Sequence, residues 1–221
     1  MQVTTIHAHD LFDSNSYLLA AEPGFVLVDT GVARRRAAVE EAIHVAGCQR
    51  GDLRLIVLTH AHSDHTGNCA YLSQAFDAPI GMHASDAGKA ERGDMFWRPQ
   101  GLTASMKVAK VMAAATGIAR FDPFTPDVLL SDGESLADFG LAATVFHLPG
   151  HSPGSICVLA EGGDFFCGDL LTSSRGPKRN SIIDVATDYE TSLQRLRELP
   201  IGTVYPGHGE PFTLDEAEGL Q

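Results

Sequence analysis

Four side chains able to bind a metal fall within six residues: His60, His62, Asp64 and His65, in THAHSDHTGN, directly after the apolar run Leu55–Leu58 (LIVL). On a strand they would alternate between faces, and on a helix they would spread around the axis. A loop just past a strand's C-terminal end turns all four toward one point. Neutral imidazole and carboxylate are the ligand set of zinc and of ferrous iron.

Three more such groups follow strand-like runs: His151 in LPGHSPGS, Asp169 in FFCGDLL and His208 in VYPGHGE, each with glycine close by. Beyond the carboxyl ends of strands is where sites gather in α/β sheets. Seven ligands exceed the needs of one tetrahedral ion and suit two ions sharing a carboxylate.

The surrounding pattern is α/β. FVLVDTG (Phe25–Gly31) reads as a buried strand, and Val39, Ile43 and Ala46 as a helix face ended by Gly47. LRLIVLTHAH (Leu53–His62) is a second strand, which completes a βαβ unit. An excursion follows over about 85–121, with Leu102, Met106, Ala109, Met112, Ala113 and Thr116 on one helical face. Strand grammar then returns. TPDVLLSDGESLADFG suggests two short strands, and SICVLAEGGDFFCGDL a hairpin turning at Gly162–Gly163. Thr187 and Glu190 have capping-box spacing for a helix carrying Tyr189, Leu193, Leu196 and Leu199. TVYPGHG is expected to be the last strand. The two strand-rich halves suggest a duplicated α/β unit within one domain, 1–221.

Composition narrows the partners. With 44 % hydrophobic and 20 % charged residues the balance is globular, and the net charge of −12 disfavours nucleic acid, which needs a positive field. No apolar run approaches a membrane span. The start, MQVTTIHAHD, lacks a basic segment followed by an apolar one, and the four cysteines form no CxxC pair. Reduced, buried thiols in a cytoplasmic protein are expected.

These motifs, in this order from Phe25 to His208, resemble those of the metallo-β-lactamase-fold hydrolases. The resemblance implies a four-layer αβ/βα sandwich, two β-sheets flanked by helices, with the site at one edge. It implies that His60, His62 and His151 hold one divalent ion and Asp64, His65 and His208 a second, with Asp169 bridging them. Zinc is the expected metal, with iron and manganese as alternatives. Asp64 and Asp169 are the expected catalytic carboxylates, with Asp64 able to relay a proton. Asp29, in VDTG, is expected behind the ligands, accepting an imidazole N–H. The implied reaction is attack by metal-bound hydroxide on a carboxylic ester, thioester or lactone of a small molecule, in the manner of the glyoxalase II and lactonase branch. His62 and Asp169 separate the chain from the flavin-linked diiron branch, usually acidic at the first position, and from true β-lactamases, usually Cys or Ser at the second. The alternatives are a mononuclear iron oxygenase acting on a thiol or persulfide, a phosphodiesterase, and an inert metal-binding protein. A monomer or a homodimer is expected.

Phe96 and Trp97, with Met95, suggest an apolar wall over the metals, and Arg175, Lys178 and Arg179 an anion-recognising loop at 172–181. His83 and His147 read as hydrogen-bonded structural residues, and His44 as a polar-face residue of its helix. His7 and His9 form an HxH without a partner motif.

Overall fold

The computed structural model describes residues 1–7, 14–99, 101, 103–115 and 120–220. Among the described residues the strands are β1 (Val3–His7), β2 (Asn15–Ala20), β3 (Phe25–Val28), β4 (Leu53–Val57), β5 (Ile80–Met82), β6 (Val128–Leu129), β7 (Ala143–His147), β8 (Ile156–Ala160), β9 (Asp164–Gly168), β10 (Leu171–Thr172), β11 (Lys178–Arg179), β12 (Thr203–Pro206) and β13 (Phe212–Thr213). The α-helices are α1 (Arg36–Val45), α2 (Ser63–Thr66), α3 (Cys69–Phe76), α4 (Ala84–Ala90), α5 (Ala104–Ala115) and α6 (Ala186–Leu196).

Alternation along the strands builds the layers. In β3, Val26 and Val28 face one way and Leu27 the other, and β4 repeats this with Leu55 and Val57 against Ile56. In β8, Ile156, Val158 and Ala160 face the first sheet, while Cys157 and Leu159 face outward. Period-two alternation with both faces apolar gives strands buried on both sides. Three cores result. One lies between the sheets, one packs the first sheet against Val39 and Ile43 of α1 and Leu72 and Phe76 of α3, and one packs the second against Tyr189, Leu193 and Leu196 of α6.

The first sheet runs β1-β2-β3-β4-β5-β6, with β3 through β6 mutually parallel, and the second runs β13-β12-β9-β8-β7. This is the expected sandwich of two sheets flanked by helices. The βαβ unit is present as β3-α1-β4, with β3 and β4 parallel. The ends of β3, β4, β7, β9 and β12 lead directly to Asp29, His60, His151, Asp169 and His208.

Several local expectations are corrected. The second strand expected in TPDVLLSDGESLADFG is a 3-10 turn, Ala137–Phe139, and Ser135 makes only an isolated bridge to Thr144. The capping box at Thr187 does not form: Val185 is the N-cap of α6, and Glu190 instead pairs with Arg179. TVYPGHG is not the last strand, since β13 turns back antiparallel onto β12. On α5 the half-buried stripe is Met106, Lys110 and Ala113, and Met112 points outward because Lys110, paired with Asp94, takes the inner position. Leu102, Thr116 and His9 lie outside the described residues. All four cysteines are free and buried. Among the described residues, no helix is long and apolar enough to cross a membrane.

Phe166 sits fully buried in the inter-sheet core, stacked on Tyr205 at 4.8 Å between ring centroids and tilted toward Tyr17 at 5.3 Å. Truncating Phe166→Ala should cost about 3–5 kcal/mol, read as a lowered urea midpoint at unchanged slope, and Phe166→Leu should cost less.

Candidate metal centre

All seven side chains meet at the sandwich edge in two groups. His60, His62, His151 and Asp169 form one, and Asp64, His65 and His208 the other; the ligand-capable atoms within each lie within 4.8 Å of one another. The expectation that one loop carries His60 through His65 is corrected. His60 and His62 are on the loop, but Asp64 and His65 are on the one-turn helix α2, whose N-cap is His62. They still turn inward together, with Asp64 Oδ2 at 3.8 Å from His65 Nε2. Asp169 lies between the groups. Its Oδ1 is 3.4 Å from Nε2 of both His65 and His208, and its Oδ2 is 3.4 Å from His151 Nε2.

The ring orientations follow from what the distal nitrogens contact. Asp29 is buried and can only accept, so His65 Nδ1–H donates to its Oδ2 at 2.9 Å and leaves Nε2 bare toward the centre. The Thr59 hydroxyl donates to the same Asp29 oxygen at 2.7 Å, and Thr59 N–H donates to Oδ1 at 2.8 Å. With its proton so engaged, the Thr59 oxygen accepts from His60 Nδ1 at 3.0 Å. Asp29 thus fixes one ring in each group, one directly and one through Thr59. It does so from a left-handed backbone, φ 58°, which aspartate tolerates better than most residues. His151 Nδ1 donates to the Ile182 carbonyl at 2.7 Å.

The inward atoms lack protein partners that would satisfy them. His65 Nε2 and Asp169 Oδ1 are buried without a hydrogen bond. With the Nδ1 protons of His151 and His60 engaged elsewhere, their Nε2 lone pairs face each other at 3.2 Å, and His62 Nδ1 lies 3.0 Å from His151 Nε2. Orphaned buried acceptors are costly and call for an explanation. Two divalent cations, one per group, fit this donor set of nitrogens and carboxylate oxygens. Gly207 keeps the space open: a Cβ there would lie 2.4 Å from Asp169 Oδ1 and 2.7 Å from His65 Cε1.

Charge points the same way. Burial, then the neighbouring imidazoles, push His60 and His62 well below the usual imidazole range, so both stay neutral. Burial opposes the charged form of His65 too, but Asp169, Asp64 and Asp29 outweigh it and raise His65 to about 10. His208 rises to about 9, with Asp169 overcoming its burial. Asp169 is held well below the carboxylate range, since His208, His65 and His151 outweigh its own burial. The carboxylates draw positive charge to this point, and cations can supply what protons otherwise would.

A cavity of about 580 Å³ opens over both groups. Val32, Met95, Phe96, Met106, Ala109 and Ile182 give it an apolar wall, and Thr172, Ser174, Asn180 and Ser181 a polar one. Of the side chains suggested for substrate contact, Phe96 lines it. Trp97 lies instead on Gly88 of α4, with the Arg92 guanidinium 3.9 Å over its ring. Arg175, Lys178 and Arg179 are not in the lining, and Arg179 pairs with Glu190. The 172–181 loop turns hydroxyls and an amide toward the cavity rather than its cations. Arg98, in the lining, pairs with Asp184. His83 accepts from Ser85 N–H and stacks on His147 at 3.8 Å, and His44 Nδ1 lies 3.2 Å from the Cys48 carbonyl. Thr59, Ser152 and Asp86, which contact the ligand loops from behind, carry no sequence signal that marks them out.

Several known proteins are similar to this chain. The chicken (Gallus gallus) protein named acyl-coenzyme A thioesterase MBLAC2 is 31 % identical over 178 residues, which cover 75 % of this chain and 59 % of that one. The chain thus spans about three fifths of that relative. A hydroxyacylglutathione hydrolase of Anaeromyxobacter dehalogenans is 28 % identical over 197 residues, covering 89 % of this chain and 61 % of its own. Among solved structures, TTHA1623 in a di-iron-bound form is 31 % identical with a TM-score of 0.71, covering 97 % of this chain and 96 % of that one. The family model of the metallo-beta-lactamase superfamily matches residues 9–208, and the chain belongs to that superfamily.

Proposed function

We propose that the protein is a two-metal hydrolase of small carboxylic esters or thioesters bearing an apolar acyl group. The observation that carries this is the pair of side-chain groups sharing Asp169, with the inward atoms of His65 and Asp169 buried and unpartnered. His60, His62 and His151 would hold one ion and Asp64, His65 and His208 the other. Cations bound there supply a hydroxide near neutral pH and polarise the carbonyl oxygen under attack. Asp169, with Oδ1 toward His65 and His208 and Oδ2 toward His151, would be shared between the two ions. Asp29 keeps His65 and, through Thr59, His60 in the tautomer that presents a lone pair. Asp64, at the cavity floor and 17 % exposed, is placed to hold a proton for the leaving group.

The wall chooses the substrate. Met95, Phe96, Met106 and Ala109 offer apolar surface to an acyl chain, which gains about 25 cal/mol per Å² buried. Arg98 is the one Lys or Arg in the described lining and is already paired with Asp184, which disfavours a phosphodiester. The relative named as an acyl-coenzyme A thioesterase supports the thioester assignment. Nitrogen and oxygen ligands without thiolate suit zinc and iron alike. We assign zinc; the di-iron form of TTHA1623 keeps iron as the second choice.

Three outcomes are expected. On a thioester series from acetyl to octanoyl, kcat/KM should rise with chain length, and Phe96→Ala should lower it about tenfold for octanoyl but little for acetyl; a flat series would remove the apolar-acyl assignment. Asp169→Ala should retain at most one tightly held ion in elemental analysis and lose most hydrolysis. Asp29→Asn keeps a residue that accepts a left-handed backbone but turns an amide N–H toward one of its donors, so metal affinity should fall about 10–100-fold in a chelator competition.

A further inference from the structure

Behind the first group lies a buried ion pair that is not part of the cavity lining. Asp86, in α4, is 0 % exposed, and Lys89, one turn on, is 4 % exposed. Lys89 Nζ lies 2.9 Å from Asp86 Oδ1. Asp86 Oδ2 accepts two further hydrogen bonds, from the Ala61 backbone N–H at 3.1 Å and from the Ser152 hydroxyl at 2.7 Å. Those partners are telling: Ala61 stands between His60 and His62, and Ser152 follows His151. One carboxylate oxygen therefore joins the two loops that bring three imidazoles together across the two sheets. The second loop is pressed close here, since a Cβ on Gly154 would lie 2.7 Å from Asp86 Cβ. The second group is held differently, by Asp29 on the His65 ring and by the Thr30 N–H and hydroxyl, each 2.7 Å from the His65 carbonyl.

Packing alone does not call for this pair. Two charges taken out of water cost several kcal/mol each, and apolar side chains of similar volume commonly serve stability as well or better. We propose that Asp86 is a positioning residue for the first ion, pinning the His60–His62 and His151 loops at one distance, with Lys89 as the counterion that keeps its carboxylate ionised in the core. The inference rests on the metal-hydrolase reading above. Because Ala61 and Ser152 both donate to the same oxygen, an asparagine amide oxygen can replace it, provided its NH₂ no longer faces Lys89.

That gives the test: zinc titrated calorimetrically into metal-stripped wild type, Asp86→Leu/Lys89→Met, Asp86→Asn/Lys89→Met and Ser152→Ala, with His151→Ala marking the loss of the first site. Wild type should bind two ions. Asp86→Leu/Lys89→Met should bind one of them about 10–100-fold more weakly, the one lost in His151→Ala, and keep the other unchanged. Asp86→Asn/Lys89→Met should retain both within about threefold, a rescue that removal of charge or packing would not give. Should the leucine variant not fold, Ser152→Ala, which removes one pin, should still weaken the same ion several-fold. Wild-type affinity in both the leucine and the Ser152 variants, or equal loss in the asparagine and leucine variants, would overturn the proposal. A wild type that binds no zinc, iron or manganese would overturn the metal reading and this proposal together, whereas two ions in wild type, with both held at wild-type affinity in Asp86→Leu/Lys89→Met and in Ser152→Ala, would overturn this proposal alone.

Discussion

The structure depends on a concentration of lone pairs that the protein cannot satisfy by itself. Imidazole nitrogens and carboxylate oxygens from four chain segments face one another in two adjoining groups, with His65 Nε2 and Asp169 Oδ1 left without a hydrogen bond. Such a site is unfavourable until positive charge enters it. Everything around it holds the arrangement against that cost: Asp29 and Thr59 from β3 and β4, the Ile182 carbonyl on His151, and Asp86 behind both loops. These unsatisfied acceptors are what would favour cations in the two groups, at the foot of the cavity that opens over them.

The sandwich makes this possible by dividing its tasks. The interiors of β3, β8 and β9 carry apolar side chains on both faces, as at Leu27 and Phe165, while Asn15 and Tyr17 of β2 hydrogen-bond the end of β12. Chemistry is confined to the residues just past the strand ends, where the chain turns. The excursion through α5 adds an apolar wall of Met95, Phe96 and Met106 over the two groups, tied to the ligand segment where the Ser63 hydroxyl meets Met95 Sδ at 3.5 Å.

Much of this was legible in the sequence. Apolar runs ending in histidine or aspartate marked β4, β9 and β12, because burial on both faces leaves a continuous hydrophobic signature. β1, β2 and β13 were not legible. β1 and β2 mix polar and apolar residues, and β13 has two residues, too few for any period. Thr187 and Glu190 had the spacing of a cap, but Glu190 found Arg179 instead, a partner no local rule supplies. Trp97 looked like part of a wall beside Phe96, yet neighbouring side chains point apart and it packs on Gly88. Nothing local marks Asp86 and Lys89, because burial of an ion pair depends on tertiary partners, here Ala61 and Ser152.

The most direct measurement is anomalous X-ray scattering from crystals of the protein grown with its metal, collected on either side of the metal's absorption edge. The account predicts two peaks per chain about 3.5–4 Å apart, one toward each oxygen of Asp169. A single peak among His60, His62 and His151, or no peak at either group, would contradict it.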